Sequence, residues 1–504
     1  MKRLVSAFIM MANAVAAAAA TVEPLEHQPP EVLGLSLLLT DGTVMFQGGT
    51  IATDWWKLTP DASGSYLHGT WSQLASLPLA WNYAPYASAS AVLADGRVLI
   101  EGGEYNPPDG PFPLTNKGAI YDPVANTWTQ VAPPPGWDFI GDSASVIMPN
   151  GKFVLGGKLD MRVAELDPAT LTWTELGFTG KADFNAEEGW TLLPDGSIMT
   201  VDVLNTPNTE RYLYTDAAGA GQWVSLGPTP QSLTWNYGLA PVAYPGGIYD
   251  PPGETGPCML RPNHTVFCSG AAGEGLTDIA HSAVFDIDSG QWLEGPDFPP
   301  GEDTGDASSA LLPNGNVVVS GFTGATYEFD GTALTMTSTG NGGLLMPLPT
   351  GELLISGAAV AIYTSSAAQT VDPAWAPTIA EAPATVQPGH SYAISGTQFN
   401  GLSQAQALGD ELQAPTNYPL VRIVNHASGH VAYARTHDHS SMGVATGDLV
   451  VSTTFDVPAD IELGASDLVV VANGIPSQPA SVDVTANSGH SHHARPVVDR
   501  FPRR

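Results

Sequence analysis

The stretch Leu93-Ala94-Asp95-Gly96-Arg97-Val98-Leu99-Ile100-Glu101-Gly102-Gly103 decides the architecture. It reads as an apolar strand, a two-residue Asp-Gly turn, a second apolar strand and a glycine pair. Asp-Gly between apolar runs is a strong hairpin signal, because both turn positions tolerate positive φ. The pattern returns at Asp41-Gly42, Asn150-Gly151, Asp195-Gly196, Asn263-His264, Asn314-Gly315 and Thr350-Gly351. From Asp41 to Thr350, six steps cover 309 residues, about 51 per step. A repeat of ~50 residues with four short strands per unit marks a kelch-type β-propeller. Seven hairpins therefore predict an all-β chain led by a seven-bladed propeller.

Each blade continues beyond its hairpin with a third strand, often ending in an aromatic and Asp, and a fourth carrying Trp. Tyr121-Asp122 precedes Trp128, Leu166-Asp167 precedes Trp173, and Phe285-Asp286 precedes Trp292; Trp71 and Trp223 hold the same place, and Met336 replaces Trp in the sixth blade. Such tryptophans are expected to wedge between blades, where large aromatic area is most useful. The seventh blade is short, so its fourth strand is expected from the N-terminal segment, which removes an exposed edge. The longest step, from Asp195 to Asn263, holds a Tyr-, Pro- and Gly-rich loop at 235–257 that would form a rim element. The propeller is assigned to residues 21–372.

Composition bounds what such a chain does. The 504 residues include 54 Gly and 43 Pro and are only 13% charged, which suits short strands and many turns. With 50 Asp+Glu against 17 Lys+Arg, the formal net charge is −33, which excludes a phosphate-backbone partner such as nucleic acid. Residues 1–20 start with Lys2 and Arg3, continue apolar and end in small residues, the pattern of a secretory signal peptide rather than a membrane span. The mature protein is expected to be secreted, extracellular or periplasmic. Cys258 and Cys268 flank the fifth turn, so a hairpin disulfide is expected in an oxidising compartment. From Pro373 the texture changes to alternating strands through Val484, which predicts an immunoglobulin-like β-sandwich over residues 373–486, followed by a flexible tail at 487–504.

The signal peptide, the kelch hairpins and the C-terminal domain together resemble the galactose oxidase and glyoxal oxidase family. The resemblance covers roughly residues 30–486. It rests on the Asp-Gly…Gly-Gly hairpins, on residues 95–103, and on Arg435-Thr436-His437 leading into the next strand. It implies a secreted copper enzyme that oxidises alcohols or aldehydes with a tyrosine radical cross-linked to cysteine, the copper lying on the propeller axis. Counted from the turns, the cross-linked cysteine would fall at Leu33 and its tyrosine at Ala87, with Tyr86 next door. The aromatic over the radical would fall at Tyr105, the tyrosine and histidine ligands at Asn341 and Gly342, and the C-terminal domain's histidine at His437. Neither cysteine lies in the first blade. The resemblance thus implies the fold, and the residues imply a branch with no Tyr–Cys radical cofactor.

What stands on the axis instead is read from the repeat. Eight residues before each turn lie Leu33, Ala87, Asp142, Glu187, Thr255, Asp306 and Gly342, at the start of the innermost strands. Three are acidic, and Glu188 and Asp303 adjoin them. In the C-terminal domain Arg435, His437 and His439 alternate, so on a strand they share a face. The family's docking would bring that face to the same mouth. Carboxylates with imidazole suit a divalent cation such as calcium or copper, or the hydroxyls of a sugar. The site is therefore drawn as Asp142, Glu187, Glu188, Asp306, Tyr86, Tyr105 and Arg435 for ligand, with His437 and His439 for metal. The leading function is a secreted binding protein, or an enzyme, taking a small-molecule or carbohydrate ligand at this mouth. A copper oxidase with altered ligands and a non-catalytic adhesion module are the rivals.

Overall fold

In a computed structural model, the chain is described over residues 20–486 except 51, 110–113, 236–241, 245–247, 251–252, 273–277, 367–369 and 410–412. The signal-peptide and tail expectations lie outside these residues, as does part of the 235–257 rim. Seven antiparallel sheets follow one another along the chain. In the second, Ala89–Val92, Val98–Glu101, Gly118–Asp122 and Thr127–Val131 pair in sequence order, with Ala89 opposite Glu101 and Val92 opposite Val98. The innermost two strands of this blade are buried throughout, and its fourth is largely exposed. That gradient from axis to rim explains why the apolar hairpins are so legible in the sequence.

The ring closes as expected from its short seventh blade. Thr21–Pro24 pairs antiparallel with Val360–Thr364, adding the fourth strand to Leu344–Pro347, Leu353–Ser356 and Val360–Thr364. Gln28 reinforces the seam by exchanging hydrogen bonds with the Val360 backbone. The fourth-strand tryptophans tie neighbouring blades together. Trp128 lies 5.1 Å from Trp55 of the first blade, and its Nε1 donates to Ala75 O at 2.7 Å. Trp173 Nε1 donates to Ala132 O, and Trp292 Nε1 to Thr209 Oγ1. Cys258 and Cys268 face each other across the fifth hairpin and form the disulfide.

The C-terminal domain is all-β, and its strands follow one hydrogen-bonded path that curls into a half-barrel. Val386, Ile394, Phe399, Val421, Phe455, Leu468 and Val482 are among its core residues. It docks on the propeller face that carries the hairpin turns: Thr436 N donates to Thr40 O, His439 N to Ala94 O and Met442 N to Pro149 O. One of its strands leaves the half-barrel altogether. Gln406–Leu408 pairs antiparallel with Ser308–Leu311, the innermost strand of the sixth blade, making that sheet five-stranded.

Candidate functional site

Two backbone features build the axial region. The first is the hairpin to which Gln406–Leu408 belongs, which enters the propeller from the turn face and returns along the axis. Its glutamines meet the innermost strands: Leu192 N donates to Gln404 Oε1 at 2.8 Å, Ser145 N to Gln413 Oε1 at 3.1 Å, and Ser90 Oγ to Gln413 O at 2.6 Å. Ala414 N donates to Gln406 Oε1 and Thr416 N to Gln404 O, so the two arms hold each other. Among the described residues, a cavity of about 10 Å³ lies between this plug and Trp190 and Cys258 of the fourth and fifth blades. The second feature is positive φ at the start of innermost strands, 47° at Ala87, 57° at Glu187 and 51° at Asp306. At these positions the backbone is left-handed, and in two of the three the side chain is acidic.

The mouth that results is organised around Lys158. Its Nζ contacts Asp142 Oδ2 and lies 2.6 Å from Glu187 Oε1, all three side chains being almost wholly buried. Around this triad stand Glu104, Glu254 and Asp306. Burial, then Glu187, push Glu254 well up; the same two causes raise Asp306 to about 7, although Asp306 still presents surface to water at the mouth. Asp306 N donates to Thr255 O at 3.3 Å, which sets Asp306 beside Glu254. Asp142 is raised as well, by burial against the opposing pull of Lys158. Asp142, Glu187 and Asp306, from three blades, are thus brought to one place, and Glu254 is brought there by the short pair Thr234–Trp235 with Glu254–Thr255.

The other sequence-derived residues lie elsewhere or serve the backbone. Glu188 turns away from the mouth into the fourth blade, where Lys181 Nζ bonds it at 2.7 Å and Glu210 at 2.7 Å, with Asp202 at 3.9 Å. Tyr86 and Tyr105 form a two-residue antiparallel bridge on the second blade, and the Tyr86 hydroxyl donates to Gly49 O at 3.2 Å. Asp303 Oδ1 accepts from Ala272 N and Gly305 N and so caps a strand end.

The expected docking of Arg435, His437 and His439 over the mouth is corrected. Val431–His437 lies on the turn face, one length of the innermost strand away; eight extended residues span roughly 25 Å. Arg435 Nη2 donates to Asp95 O at 2.7 Å, and Nη1 to Asp456 Oδ2. Both His437 nitrogens meet carboxylates, Asp438 at 2.8 Å and Asp456 at 3.1 Å. His439 is buried against Thr453 and stacked on Tyr418; burial, then His437, lower it to about 3, so it is neutral. Among the described residues, the domain reaches the axis by 402–409 and 413–418, which contain no histidine. Lys158 and Glu254 were missed in the sequence. Lys158 carries a signal, being a charged side chain seven residues past a turn where the other blades have Gly, Val, Ala or Phe. Glu254 lies in the irregular insertion and has no repeat equivalent.

Fold and site together define a seven-bladed kelch-type propeller whose axis is plugged by its C-terminal β-domain beneath an acidic mouth. Among curated proteins, the chain is similar to the Kelch-like protein terF of Aspergillus terreus, 32% identical over 89 residues, or 18% of each protein. Among solved structures it is similar to a fungal alcohol oxidase of the AA5 family in complex with copper, 14% identical with a TM-score of 0.48, covering 93% of this chain and all of that one. It is also similar to the virginiamycin B lyase of Staphylococcus aureus, 11% identical with a TM-score of 0.46, covering 68% of this chain and 98% of that one. No protein-family model matches the chain.

Proposed function

We propose that this is a secreted propeller protein whose axial mouth binds a small polar ligand, of the carbohydrate or polyhydroxylated class, and that it is not a Tyr–Cys radical copper oxidase. The observation that carries the reading is the convergence of Asp142, Glu187, Glu254 and Asp306 on Lys158. Carboxyl groups that keep protons near neutrality donate hydrogen bonds, while their ionised neighbours accept them. A hydroxyl both donates and accepts, so the mixture suits a sugar. Secretion is supported by residues 1–20 as a signal peptide and by the disulfide.

The residues present do not fit the copper that the family resemblance implies. Leu33, Ala87, Asn341 and Gly342 stand where the cysteine, tyrosine, tyrosine and histidine are required, and both cysteines are joined in the fifth blade. An ammonium, that of Lys158, occupies the centre of the donor set. A small hard cation is not favoured at the mouth either. Among the described residues, three carboxylates close enough to share one ion occur at Glu188, Asp202 and Glu210, where the Lys181 ammonium already lies.

The reading is tested with purified secreted protein on a panel of soluble glycans. Binding to the wild type that is lost in Asp306→Asn supports it. Copper-dependent peroxide release from alcohols or aldehydes, well above a no-copper control, would refute the non-oxidase part.

A further inference from the structure

The charge of the mouth is unbalanced. Asp142, Glu187, Glu254 and Asp306 bring four carboxyls into the field of the Lys158 ammonium, and Glu104 adds its charge beside Asp142 and Asp306. Asp142 is 1% exposed, and its Oδ1 has no hydrogen-bond partner while Oδ2 holds Lys158, so a buried acceptor inside the cluster is unmet. Glu254 Oε2 is likewise buried without a partner. Beside Asp306, the plug presents Gly409, where a Cβ would lie 2.9 Å from Asp306 Oδ1. The bare backbone there keeps the carboxyl uncovered. Lys158 itself shows what the cluster accepts, since one ammonium satisfies two carboxylates from different blades.

We propose that the mouth selects a ligand carrying a primary ammonium group, which docks on Asp306 and Glu254 as the Lys158 ammonium docks on Asp142 and Glu187. The proposal rests on the mouth being a ligand site. An ammonium has three N–H donors and no acceptor, which matches a set of acceptors in excess. It also supplies the positive charge that a neutral sugar lacks, and sets it against carboxyls that burial raises. Two sources share this chemistry, an amino sugar and a linear polyamine.

Isothermal titration calorimetry with the full-length secreted protein decides the matter, using the fully deacetylated glucosamine trimer, its N-acetylated counterpart and spermidine. The glucosamine trimer should bind at least tenfold tighter than the N-acetylated one. Its apparent heat should change with the ionisation enthalpy of the buffer, because protons are released. Glu254→Gln and Asp306→Asn should each weaken it about tenfold, with thermal unfolding measured for both; either variant that folds suffices. Spermidine binding as tightly as the trimer assigns a polyamine, and weaker binding assigns an amino sugar. Equal binding of the two trimers overturns the proposal and leaves the mouth a neutral-sugar site. Failure of every amine, with a neutral glycan bound and lost in Asp306→Asn, does the same. Failure of amines and glycans alike removes both readings.

Discussion

At the scale of single residues, the repeat made three acids of the mouth legible and hid their counter-ion. Asp142, Glu187 and Asp306 share a position eight residues before a turn, and propeller symmetry converts an equal register into an equal place. Lys158 and Glu254 were not legible that way, since one sits in the turn after the second strand, Phe153–Gly156, and the other in an insertion. Lys158 sets the energetics. Replacing it leaves Asp142 and Glu187 buried without a cation, and breaking a buried ion pair by removing one partner costs roughly 3–5 kcal/mol. Lys158→Met should lose about that much in urea unfolding at pH 7, with Lys158→Arg losing less; a change below about 1 kcal/mol would show that water or another cation compensates. The raised acids fix a pH dependence. Asp306 at about 7 and Asp202 at about 6 hold protons that the unfolded chain releases near 4. Between those values the native state binds more protons at these two sites, so their contribution to stability falls as pH rises from about 4 to 7. Asp306→Asn removes part of that fall. Its melting temperature relative to wild type should therefore be about 1–3 °C more favourable at pH 8 than at pH 4.5. A gap that is constant with pH would mean that Asp306 titrates normally.

At the scale of elements, hairpins were read correctly because their two inner strands are apolar on both faces and their turns need special backbone angles. The docking of Val431–His437 was misread because alternation tells which side chains share a face, not what that face meets. Local bonds decide it: Thr436 and Arg435 engage Thr40 and Asp95 at the turns, so this strand cannot also reach the mouth. The fifth hairpin carries the clearest element-level test. Cys258 and Cys268 stand opposite each other on the two innermost strands, closing a loop of 10 residues in sequence separation. Closing a loop that short restrains the unfolded chain by about 2–3 kcal/mol. The double substitution of both cysteines by serine should cost about that amount, visible as a lower urea midpoint with an unchanged slope. Wild-type protein treated with reductant should approach the same midpoint, whereas an unaltered midpoint would show that the hairpin gains nothing from its cross-link.

At the scale of the whole molecule, the ring is closed twice, by different ends of the chain. Thr21–Pro24 completes the seventh blade from outside, which the short blade announced in the sequence. Gln406–Leu408 completes the sixth from inside, and this was not legible, because the alternation Gln404-Ala405-Gln406-Ala407 is short, built on small side chains and broken at Gly409. These glutamines find partners only once the innermost strands have converged. The plug therefore makes the two domains one folding unit. Without it, Ser308–Leu311 loses its inner neighbour, Ser90, Ser145 and Leu192 lose Gln413 and Gln404, and the floor beside Asp306 disappears. Unpaired backbone groups left inside a protein cost about 1–3 kcal/mol each, and several are exposed at once here. A chain ending at residue 372 should consequently unfold at a temperature at least about 10 °C below the full chain, or accumulate as aggregate through its open inner edge. Adding residues 373–504 in trans should restore little, since the hairpin must thread an already closed ring. Gln413→Ala in the full chain provides the milder version, expected to cost about 1–3 kcal/mol while ligand binding at the mouth weakens with it. Should the truncated propeller melt with the full chain and keep its ligand, the plug would be a passenger on the axis and the mouth would belong to the blades alone.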